Sequence, residues 1–143
     1  MLTLNAMNTV AINAATGTAM QHFAAIVQEK LCRPVCQNQE LQPMHTIQYS
    51  LEDQRTVGTT TFVDLVANGK IEFVPKGGKP CNVHTKRIYD RTTLIFANAT
   101  ATHPVPTISL TQGVSDGYLA DVNCNIAKGY QIATDITVTA VYA

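Results

Sequence analysis

The chain has 143 residues, of which 14% are charged and 45% hydrophobic, and its formal net charge is +0. That length suits one domain with a sizeable core, and the neutral balance excludes a global electrostatic pull toward nucleic acid or membrane. So few charges are unusual for a freely diffusing monomer and fit a surface covered by copies of the chain or by partners.

From Leu2 to Ala14 the even positions are mostly apolar and the odd ones mostly Thr and Asn. Period two predicts an extended arm or strand over residues 1–14. Leu2, Leu4, Val10 and Ile12 form its apolar stripe, a candidate assembly arm that adds to a neighbour's sheet or pairs within its own. No basic leader and no membrane-length apolar run are expected. Over 18–31 the period changes. Met20, Phe23, Ala24, Val27 and Leu31 recur at helical spacing, and Thr18 with Gln21 makes a capping box, so one accessory helix is predicted there. Pro34 ends it.

Residues 45–143 read as a β-rich body. Thr46–Leu51 alternates as a strand, followed by a polar turn at Glu52–Arg55. Thr59–Val74 carries Asn68-Gly69 between β-branched and aromatic runs, which predicts a hairpin closed by a type I′ turn. A Gly/Pro/Lys loop spans Pro75–His84, and Lys86–Ala97 is a further strand. Thr107–Thr111 and Tyr118–Val122 are short strands around a turn at Gly113–Gly117. Tyr130–Tyr142 alternates almost without fault. Many strands with turn signals and one helix indicate a mainly β fold, an antiparallel sandwich or barrel-like domain.

Chemistry-bearing motifs are sparse. Cys32, Cys36, Cys81 and His84 have the donor types and loop placement of a zinc set. Free thiols are nevertheless the leading reading, with a disulfide and zinc as the alternatives and no metal favoured, and Cys124 reads as a small buried side chain. Asn98-Ala99-Thr100 matches a glycosylation acceptor, to which no weight is given without secretion. Neither the His and Asp residues nor Gly77-Gly78 makes a nucleophile, calcium or phosphate-loop motif, so no catalytic site and no cofactor are expected.

Charge is unevenly placed. Residues 70–91 hold six cations, Lys70, Lys76, Lys79, Lys86, Arg87 and Arg91, against Glu72 and Asp90, a net of +4. The flanking segments, 1–69 and 92–143, each carry −2. The basic block is a solvated loop, a salt-bridging contact with another subunit, or a phosphate-facing patch in which Tyr89 interleaves. In composition and extended termini the chain resembles, in style alone, small structural subunits of virions. The expected function is a non-enzymatic, self-assembling phage or viral capsid, coat or decoration protein. It would assemble in a host cytoplasm with copies of itself and other virion proteins. The alternatives are a cell-surface filament subunit joined by strand exchange and a small zinc-dependent nucleic-acid-binding module.

Overall fold

A computed structural model describes residues 1–5, 8–11, 17–97 and 105–142. They form eight strands and no helix: β1 Leu2–Leu4, β2 Thr9–Ala11, β3 Thr18–Cys36, β4 Met44–Val57, β5 Thr60–Phe73, β6 His84–Ala97, β7 Thr107–Asn123 and β8 Ile126–Val141. One sheet has the order β1-β3-β8-β7 and the other β2-β6-β5-β4. All neighbours are antiparallel except β2 and β6. Phe23, Val27, Ile132 and Ile136 of the first sheet join Leu65, Ile71, Phe73 and Phe96 of the second in one buried apolar cluster.

The predicted helix over 18–31 is a strand. Along β3, Ala19, Phe23, Ala25, Val27 and Leu31 are buried while Met20, His22, Gln28 and Lys30 are exposed or half-exposed, which is period two. Phe23, Val27 and Leu31 lie four apart, a spacing that suits a helix stripe and one face of a strand equally. Met20, which would complete the helix stripe, points away from the core at 72% exposure. The alternating β8 supplies the partner that decides the matter, pairing with β3 from Thr18↔Val141 to Cys36↔Ile126.

The Asn68-Gly69 hairpin is also corrected, because both residues lie inside β5. Asn68 pairs with Gln48 on one side and Tyr89 on the other, and Gly69 with Ile47 and Ile88. Gly69 does not have positive φ. It is needed because the neighbouring strand comes close: a Cβ there would meet the Thr46 carbonyl oxygen at 2.0 Å. The β4–β5 hairpin closes instead at Gly58-Thr59, where Val57 faces Thr60 and Gly58 alone has positive φ (62°), the pattern of a type II′ turn. A type I′ pattern does occur at Cys124-Asn125, with φ of 52° and 63°, joining β7 to β8. Cys124 is therefore exposed on a turn and not a buried side chain.

Two expected turns are irregularities inside strands. Asp53-Gln54 bulge out of β4 between Glu52 and Arg55, with Asp53 at φ 54°. Gly113-Val114 bulge out of β7 between Gln112 and Ser115. A bulge inserts unpaired residues without ending the strand, so the two short strands around Gly113–Gly117 are one long strand and β4 runs on past Glu52–Arg55 to Val57.

Candidate functional site

The N-terminal arm links the two sheets in the single chain. β1 pairs with β3 in the first sheet, and β2 pairs with β6 in the second. Leu2 and Val10 are buried and Leu4 half-buried. Ile12 and the Asn98-Ala99-Thr100 sequon lie outside the described residues. Asn8 fastens the crossing between β1 and β2. Its carbonyl accepts from the Ile95 amide at 2.9 Å, and its side-chain amide donates to Thr92 Oγ1 and the Thr93 carbonyl. On the same side the N-terminal amine lies 3.5 Å from Glu29 and 3.1 Å from Asp90. Burial and the adjacent Asp90 carboxyl push Glu29 above the usual carboxylate range.

The opposite side is bridged by side-chain amides, among them Gln54, which donates to the Pro106 carbonyl at 2.9 Å. Gln112, at the β7 bulge, accepts a hydrogen bond from the Tyr49 amide and donates to the Ile47 carbonyl, each at 2.9 Å. It thus occupies two backbone groups on the outer edge of β4 as a neighbouring strand would. Nearby, His45 Nδ1 and the Tyr130 hydroxyl are 3.2 Å apart, and burial lowers the His45 pKa. Tyr49 is nearly inaccessible, and burial pushes its phenol up to about 12.

The strand register divides the basic block. Lys70 lies opposite Thr46 and Arg87, Asn68 opposite Gln48 and Tyr89, and Val66 opposite Ser50 and Arg91. Directly opposed residues share a face. The intervening Ile71, Ala67, Tyr49 and Ile88 point into the core, so these rows form the outer face of the second sheet. Lys86, one residue from Arg87, turns inward, where its charge acts on Glu29. Lys76 and Lys79 are exposed on the loop between β5 and β6.

The outer face has two electrostatic halves. At one end Arg91 lies within 3.0–3.4 Å of Glu52, Asp53 and Asp64. The Thr93 hydroxyl, then Arg55 and Arg91, hold the Asp64 carboxyl below the usual range. At the other end Lys70 pairs with Glu72 at 3.3 Å, while Arg87 is exposed and makes no ion pair among the described residues. Tyr89 stands between these halves at 58% exposure. A groove lined by Thr46, Gln48, Ser50 and Asn68 runs beside it, reaching Gly69 and Gln112.

Sequence reasoning found the basic block and Tyr89 but missed the groove and Gln112. Long-range pairing alone creates both, and no local pattern marks them. The proposed zinc donors are not gathered: no three His, Cys, Asp or Glu side chains converge on a metal-sized site among the described residues, and Cys32, Cys36, Cys81 and Cys124 are free. No protein-family model, curated protein or solved structure matches the chain.

Proposed function

We propose that this protein is a self-assembling structural subunit without enzymatic activity, a capsid, coat or decoration protein of a virus or phage, built as a sandwich of the two sheets. The observation that carries this reading is β7. It is a seventeen-residue strand at the edge of its sheet, paired only with β8 among the described residues. It contains no Lys, Arg or Pro, and its only charges are Asp116 and Asp121. Val114, Tyr118 and Val122 are exposed along it. Monomers guard long edges with charges, above all Lys, with Pro or with extreme shortness, and β7 has only its bulge and those two acids. A second copy adding along this edge would cover backbone groups and apolar side chains together. The low overall charge points the same way.

Light scattering and negative-stain microscopy test the proposal. The purified chain should form closed oligomers or particles whose contacts bury more than about 1,000 Å². Replacing Val114 and Tyr118 by Lys should yield smaller species with an unchanged circular dichroism spectrum. A compact monomer at high protein concentration would refute the reading.

A further inference from the structure

We infer that the outer face of the second sheet is a binding surface for single-stranded RNA, with Tyr89 as a stacking platform and Arg87 and Lys70 as the phosphate contacts. This does not rest on the assembly reading, because one copy carries the whole face.

Three features converge there. Arg87 and Tyr89 are two residues apart on β6, so both point outward about 6.6 Å apart, close enough for one strand of nucleic acid to meet both. Tyr89 offers an exposed aromatic ring, and every base has a face that can stack on one. Beside it, the groove presents the amides of Gln48 and Asn68 and the hydroxyl of Thr46. Such groups can pair with base edges and with the 2′-hydroxyl that distinguishes RNA. A paired duplex hides its base faces, so stacking on Tyr89 selects a single strand.

Charge fixes the direction. The acids around Arg91 repel phosphate from one end of the face. At the other end the single acid, Glu72, pairs with Lys70, Arg87 has no acid partner among the described residues, and the loop bearing Lys76 and Lys79 leaves the sheet just beyond it, so the cations prevail. The backbone of a bound strand would therefore run from Tyr89 toward that loop. Flat neutrality of the chain as a whole conceals this local positive track.

Fluorescence anisotropy with the full chain and a labelled oligouridine of roughly ten nucleotides tests the inference. Binding should be clear near 50 mM salt and weaken steeply by about 200 mM, as released counterions require. Arg87→Ala and Tyr89→Ala should each weaken it about tenfold, whereas Tyr89→Phe, which keeps the ring, should bind within about twofold of the parent. Lys30→Ala removes one charge from the outer face of the other sheet and should have no effect. Matched thermal melts establish that every variant is folded. The inference is overturned by an absence of binding at the lower salt, by equal binding of a duplex of the same length, by tighter binding of the DNA counterpart, or by Lys30→Ala weakening binding as much as Arg87→Ala.

Discussion

Gly69 illustrates how a residue can be singled out correctly for the wrong reason. An Asn-Gly pair signals a turn because both residues tolerate positive φ, but here the pair is extended and the glycine is required by the space left to it. The Thr46 carbonyl occupies the position of a side chain. Gly69→Ala should therefore destabilise by about 3 kcal/mol, because backbone of a paired strand cannot yield cheaply. Gly58→Ala is the instructive comparison. A Cβ there meets nothing within 4 Å, and only the left-handed φ opposes it, at about 1 kcal/mol. A urea midpoint for Gly69→Ala no lower than that for Gly58→Ala would show that the Thr46 backbone gives way to a side chain after all. The same limit applies to the basic block. Its cations are legible in composition, but Lys86 and Arg87 are sequence neighbours on opposite faces, and only the strand register separates them.

At the level of elements, alternation was a sound guide wherever it was long. β8, β6 and the core of β4 could be read directly, because Tyr130–Tyr142, Lys86–Ala97 and Thr46–Leu51 have no competing period. Thr18–Leu31 failed because its apolar residues at spacing four fit two periods at once. The two bulges failed because Gly and Asp resemble turn residues in a one-dimensional reading. Gln112 had no signal at all: a polar residue in an alternating strand gives no hint that it will complete the edge of another sheet. Its contribution can be measured. Gln112→Ala leaves the Tyr49 amide and the Ile47 carbonyl without that partner, at a cost of about 1–3 kcal/mol if water cannot replace it. Amide exchange at Tyr49 should accelerate in the variant. Gln112→Glu should restore protection of the Tyr49 amide but not the lost stability, since a carboxylate can accept from the Tyr49 amide but cannot donate to the Ile47 carbonyl. Unchanged exchange at Tyr49 in Gln112→Ala would mean that the β4 edge is protected by something else.

For the molecule as a whole, the two sheets share a core but meet along sides that regular backbone pairing does not close. Gln112 and Gln54 span one side, and β1 and β2 span the other by pairing with β3 and β6. The N-terminal stripe was legible as something that must be covered. What it covers was not, because a three-residue antiparallel contact followed by a three-residue parallel one has no sequence signature. In the single chain, Leu2 and Val10 fill the side of the chain's own core. Burying them is worth roughly 1.5–3 kcal/mol each before the entropy of ordering the arm, against a typical total stability of about 5–15 kcal/mol. Deleting residues 1–11 should therefore lower the melting temperature substantially, increase binding of a hydrophobic dye and expose the edges of β3 and β6. Aggregation should follow, because those edges would then present unpaired backbone beside apolar surface. A different result would follow if the arm served only to join subunits. The truncated chain would then melt as the parent does, remain monomeric and bind no dye, and the strap would have to be reassigned from the fold to the assembly.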